Sequence, residues 1–155
     1  MNYQLRGLEP AQFEKYFALD DAGLAERGMR WMRVDKPVGF PCRISLEDAP
    51  VGEDVLLLPF THQDSRSPYR ASGPIFVRRG RIDGARIVDR LPTYLTLRPL
   101  SVRAYDAADE MVDAEGVDGP EAAPLIERDL SRTDVAYLHI QFARRGCLAC
   151  RVDRG

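Results

Sequence analysis

Apolar positions along this chain recur mostly with a period of two or in short unbroken runs, and both patterns belong to strands rather than helices. Val55 to Phe60 is four aliphatic residues, a proline and an aromatic, and Pro74 to Val77 reads Pro-Ile-Phe-Val, so each predicts a buried strand. Between them Thr61 to Gly73 forms a polar connection of about a dozen residues, a length that compact domains usually reserve for function or leave disordered. Val135 to Phe142 alternates, Arg144-Arg145-Gly146 turns, and Cys147 to Val152 returns as a last antiparallel strand. Tyr3 to Leu8 and Met29 to Val34 predict two more strands. Ser101 to Tyr105 and Met111 to Ala114 predict a hairpin closed around Asp106 to Glu110, and Gly116 to Gly119 reads as a loop. Leu95 and Leu97, alternating with Thr96 and Arg98, predict a half-exposed strand that Pro99 either ends or marks as an edge.

Helical signals are few. Glu9-Pro10 opens a helix that places Phe13, Tyr16 and Phe17 on one face, and Asp20 caps a second over Asp21 to Arg27, which Gly28 terminates. Glu121 to Leu130 predicts a third, with Pro124 tolerated only in its first turn. Lys36 to Arg43 holds two prolines and a glycine and excludes regular helix, Ile44 to Ala49 is a short strand or turn, and Arg78 to Gly84 is an exposed turn. Strands are grouped rather than interleaved with helices. The expected class is therefore α+β, a largely antiparallel β-sheet of about seven strands with two or three short helices, in one globular domain over 1–155.

Composition narrows the function classes. Hydrophobic residues at 45% and charged residues at 30% fit a folded domain, and neither a basic start followed by an apolar run nor a long apolar stretch is present, so the expected location is the cytoplasm, without a membrane partner. Residues 66–103 carry nine arginines against Asp83 and Asp89, whereas 104–129 carry nine acids against Arg128. Opposite blocks of this kind pair with each other or face solvent, and a net charge of −2 leaves no footprint for nucleic acid.

Candidate chemistry concentrates on the 61–73 connection. In Ser67-Pro68-Tyr69-Arg70-Ala71-Ser72-Gly73-Pro74 the prolines restrict both ends, and Gly73 permits a turn that aims successive amides one way. Beside the Arg70 fork, such a turn holds a carboxylate or phosphate. The structural alternative is that Tyr69 plugs the core edge and Arg70 pairs with an acid. His139 shares a strand face with Tyr137 and Gln141, so if that face lines a cleft, His62 and His139 meet as acid and base; the alternative is cross-strand packing. Cys42, next to Arg43, is a candidate nucleophile or a buried inert thiol. Cys147 and Cys150 match C-x-x-C, but a strand puts residues three apart on opposite faces, which disfavours zinc or thiol redox. No cofactor-binding motif is present, and no metal site is assigned.

Three blocks taken together, GFPCRISLEDA, H-x6-PYRASGPIFVR and VAYLHIQ followed by GC and RVDR, resemble the small bacterial family catalogued as domain of unknown function twelve hundred and three. The likeness runs over essentially the whole chain and implies a bacterial single-domain protein of this length. It carries no catalytic or ligand role to any residue, and Cys150 is not part of the family's pattern. The leading expectation is a polar pocket formed by the 61–73 loop, Phe40 to Arg43 and the His139 strand. There Arg70, Ser72, Gly73, Tyr69 and Arg43 hold a small anionic ligand, and His62, His139 and Cys42 supply any catalysis. Competing expectations are a protein-interaction module or homo-oligomer, built on the arginine-rich middle and the acidic hairpin, and a thiol redox protein using Cys147 and Cys150.

Overall fold

The structure is a computed structural model that describes residues 2–80 and 83–155, so the Arg81 and Ile82 positions of the expected 78–84 turn lie outside the described residues. The chain builds two sheets. One has six strands: β1 (Tyr3–Arg6), β7 (Arg86–Val88), β8 (Pro99–Tyr105), β9 (Met111–Asp118), β10 (Tyr137–Phe142) and β11 (Leu148–Arg154), in the order β7-β1-β11-β10-β8-β9. The other has five: β2 (Arg30–Arg33), β3 (Pro41–Cys42), β4 (Glu47–Asp48), β5 (Asp54–Gln63) and β6 (Ala71–Arg78), in the order β2-β5-β6-β3-β4. Every ladder is antiparallel except the one between β3 and β6, where Cys42 faces Phe76. The α+β, mainly antiparallel class follows from this arrangement, but as two sheets rather than one of about seven strands.

Helices cover the faces these strands leave apolar. Against the six-stranded sheet lie α3 (Thr93–Thr96) and α4 (Ala122–Leu130). Ala122, Leu125, Ile126 and Leu130 there meet Leu5, Val102, Leu138, Ile140 and Val152 in one buried cluster. The short α1 (Glu14–Phe17) and α2 (Asp21–Ala25) flank the other sheet. Phe13 and Leu24 pack with Ile44, Leu56, Leu58, Ile75 and Val77, and Asp20 caps α2 by accepting from the Gly23 amide at 2.8 Å.

Two sequence expectations are corrected. Residues 93–96 are one turn of helix, not a strand, because Tyr94 and Leu95 are adjacent yet both fully buried, which a strand cannot achieve on one face. The Tyr94 hydroxyl donates to the Ala149 carbonyl at 2.9 Å and holds that turn in the core, while Leu97 is left exposed. Gly116 to Gly119 is no loop up to Asp118, since β9 runs on to pair Asp118 with Pro99.

Several contacts join the sheets. Gly7, just past β1, donates to Ala85 at 2.8 Å; Leu8 donates to Arg43 and Ala85 to Ile44 at the same distance, so three backbones meet where a Cβ on Gly7 collides with main chain. Arg98 forks onto Asp48 at 2.5 and 3.0 Å, with only 15% and 11% of the two side chains exposed. Arg43 crosses the interior, donating to Leu148 O and Pro41 O at 2.7 Å and to Cys147 Sγ at 3.0 Å, with its guanidinium 5.1 Å from the Phe142 ring.

Candidate functional site

The two histidines come together where the tip of the β5–β6 hairpin lies over the polar face of the six-stranded sheet. Their ring centroids are 6.1 Å apart, and His62 Nε2 is 3.2 Å from Gln141 Nε2. A bulge makes this contact. Phe60 pairs with Gly73 and Gln63 with Ala71, so Thr61 and His62 together oppose Ser72 alone, and consecutive residues His62 and Gln63 both reach β10. Gln63 donates to the Tyr137 hydroxyl at 2.9 Å, and that hydroxyl donates to Asp109 Oδ1 at 2.6 Å.

Register breaks also fall at Ile140/Gln141 and at Ala104/Tyr105. All three among the described strands thus adjoin the same group of side chains. Tyr105 and Tyr137 stack at 5.3 Å with an interplanar angle of 11°, and His139 packs on both, at 5.1 and 5.3 Å. Bulges concentrate next to functional sites because they re-aim side chains at a local loss of pairing.

Electrostatics keep the histidines uncharged. His139 is only 4% exposed; its burial, and then His62, Arg151 and Arg103, push its pKa down to about 3, against a smaller opposing pull from Asp153. Burial, followed by Arg103, lowers His62 as well. Tyr137 is pushed up to about 12 by burial and then by the Asp109 carboxylate. Nδ1 of His139 is buried without a hydrogen-bond partner. Register places Arg103 on β8 and Arg151 on β11 directly opposite His139, one on each side. Arg151 is held by Asp153 and lies 4.1 Å from the Tyr137 ring, whereas Arg103 has no carboxylate partner among the described residues and donates to Ser101 Oγ at 3.3 Å.

Of the remaining sequence candidates, Ser72 lies opposite His62 across the bulge, and the others are engaged in contacts of their own. Arg70 is exposed and pairs with Asp64 in the connecting loop, and it is not among the charges acting on His139. Ser72 and Gly73 belong to β6, where Gly73 faces Phe60 and the Ser72 hydroxyl meets Thr61 Oγ1 at 2.8 Å, so no turn gathers their amides. The true connection is only 64–70. Tyr69 is 40% exposed on that loop and lies near Tyr105, whose pKa burial raises. Cys42 and Arg43 are buried in separate contacts, Cys42 Sγ accepting from the Arg78 amide at 3.3 Å. Residues the sequence did not single out are Gln63, Arg103, Tyr105, Asp109 and Arg151. Only Tyr137 and Gln141 carried a signal, the period-two face they share with His139.

All three thiols are free and buried, and burial lifts Cys150 to about 12. Accordingly, an aromatic disulfide reagent is expected to label none of them in the native protein within the time that labels three in denaturant; rapid native labelling at Cys147 or Cys150 would revive the redox reading. Among the described residues no three metal-ligating side chains cluster, and no helix is long and apolar enough to cross a membrane. Surface grooves of about 460 and 350 Å³ lie along Trp31, Met32, Arg33, Glu53, Asp54 and Arg79, and around Met29 and Leu57, and neither is lined by a histidine.

No curated protein and no solved structure matches the chain. A family match covers residues 39–154, three quarters of the chain and every residue of the histidine cluster, and by it the protein belongs to the family described as Protein of unknown function (DUF1203).

Proposed function

We propose that the protein binds a small anionic ligand on the polar face of the six-stranded sheet, beside His139, with Arg103 and Arg151 flanking the imidazole. The observation that carries this is the buried, unpartnered Nδ1 of His139 between two arginine-bearing neighbours. An orphaned buried nitrogen costs roughly 1–3 kcal/mol, a strain that persists where a ligand completes the bond. Arg103 supplies a half-buried cation that lacks a carboxylate among the described residues, and Ser101 adds a hydroxyl beside it. Once an anion sits against it, the His139 imidazole becomes a better base, so ligand binding and proton uptake are coupled. That coupling is the form an enzymatic step takes here, with His62 as the second proton carrier.

Three buried free thiols suit a reducing compartment and so support a cytoplasmic location. The interaction-module alternative has less support. Asp109 accepts from Tyr137, Asp113 pairs with Arg132 at 2.7 Å, and Glu110 meets Ser67, so the acidic hairpin is engaged within its own chain.

The test is a melting screen against inorganic phosphate, sulfate and small carboxylates at constant ionic strength, with the His139 ring nitrogens followed by NMR. At least one anion is expected to raise the melting temperature and move the Nδ1 resonance, and Arg103→Ala is expected to weaken that anion at least tenfold while leaving the fold intact. If no anion moves either signal, the proposal is wrong.

A further inference from the structure

The row that holds His139 extends across five strands. Arg86 on β7 pairs in register with Arg6 on β1, Arg6 with Arg151 on β11, Arg151 with His139 on β10, and His139 with Arg103 on β8. Side chains alternate faces along a strand, and the neighbours Leu5, Ile87, Val102, Leu138 and Val152 are all in the core, so these five residues share the opposite face. Three arginines therefore stand directly across from one another on adjacent strands. At about 4.8 Å per strand their Cα atoms span roughly 10 Å.

Like charges opposed in this way destabilise a sheet. One internal carboxylate relieves them: Asp153 meets Arg6 Nε at 3.1 Å and Arg151 Nη2 at 2.9 Å. Arg86 has no acid partner among the described residues and reaches only Gln4 Oε1, at 3.4 Å. Three guanidinium charges against one carboxylate leave two positive charges. The Arg6 and Arg151 side chains are 45% and 48% exposed, so the cations are open to solvent.

We infer that the ligand is phosphorylated, and that Arg86, Arg6 and Arg151 hold its dianionic phosphoryl group on this open face beside His139. This rests on the anion-binding reading and gives it a substrate class. A phosphate monoester carries close to two negative charges at neutral pH, matching the surplus, and its three terminal oxygens suit several guanidinium forks at once. A monocarboxylate balances only half of the charge.

The experiment uses the full chain with labelled arginine side chains, titrated at constant ionic strength with inorganic phosphate, with glycerol phosphate and with acetate. In a separate arm, the chain is titrated with vesicles bearing a phosphate-monoester lipid. The two phosphates are expected to shift the Nε–H signals of Arg6, Arg86 and Arg151 saturably and to bind at least tenfold more tightly than acetate. Arg86→Gln and Arg6→Gln, both at exposed positions, are each expected to lose at least fivefold of phosphate affinity without lowering the melting temperature of the free protein. Vesicle binding that soluble phosphate displaces supports the same site with a lipid source, and vesicle binding that it does not displace overturns the assignment. Phosphate that leaves these three signals unmoved overturns the inference, and so does equal affinity for acetate. If acetate or phosphate still moves His139 and Arg103, the anion reading survives that failure; if nothing moves, both fall.

Discussion

Replacing Arg43 with alanine is expected to lower the unfolding free energy by about 3–5 kcal/mol, visible as a large drop in the urea midpoint with the m-value unchanged. Arg43 is 2% exposed and among the described residues meets no carboxylate; its partners are two carbonyls, a thiol sulfur and an aromatic face. A buried cation held this way is costly in itself, and a well-packed apolar replacement of a buried ion can be neutral. Alanine is not such a replacement. It strips a hydrogen bond from Leu148 O and Pro41 O, at roughly 1–3 kcal/mol for each buried acceptor left unpaired, and opens a cavity between the two sheets. Arg43→Lys separates charge from geometry: one ammonium cannot serve acceptors on Pro41, Leu148 and Cys147 together, so most of the loss is expected to remain. A loss below about 1 kcal/mol for the alanine variant would show that the sheets are held by Arg98–Asp48 and the Gly7 junction without Arg43.

Arg43 also marks where sequence reasoning stopped. Its neighbour in the chain, Cys42, suggests a local thiol–guanidinium pair, but β3 ends at Cys42 and Arg43 begins the turn after it, and the sulfur Arg43 meets is Cys147, over a hundred residues away. Arg70 is engaged locally, paired with Asp64 of the same loop. Legible features were those set by local period. The strands at Val55, Pro74 and Val135, the Asp20 cap and the face shared by Tyr137, His139 and Gln141 all depend on residues a few positions apart. The bulge that turns both His62 and Gln63 toward β10 leaves no mark in local periodicity. Nor does the alignment of Arg86, Arg6, Arg151 and Arg103, which needs the strand order and register of four separate ladders. Leu95 and Leu97 carry a strand-like alternation, but four such residues cannot be told from one helical turn bracketed by prolines.

Lowering the pH from 7 to 5 is expected to remove about 2 kcal/mol of stability through His139 alone. In the unfolded chain this imidazole takes a proton near pH 6.5; in the fold, burial and the neighbouring His62, Arg151 and Arg103 hold it neutral down to about 3. At pH 7 the two states differ little in proton content, so nothing is lost there. Below 6.5 the unfolded state binds more protons, and stability falls with decreasing pH by about 1.4 kcal/mol per unit until the folded pKa is reached. His62, also lowered, steepens the slope in the same direction. Carboxylates contribute below about pH 5, so the measurement is a comparison: urea unfolding of the natural chain and of His139→Gln between pH 7 and 5. Only the slope matters, since the variant's absolute stability includes whatever repacking glutamine brings. The natural chain is expected to lose about 2 kcal/mol more than the variant across that interval, and parallel curves would mean that His139 titrates normally in the fold. Repeating the series with saturating phosphate gives the functional readout. An anion seated beside His139 favours its protonated form, so the slope should shrink with ligand bound, and an unchanged slope would place the anion away from the imidazole.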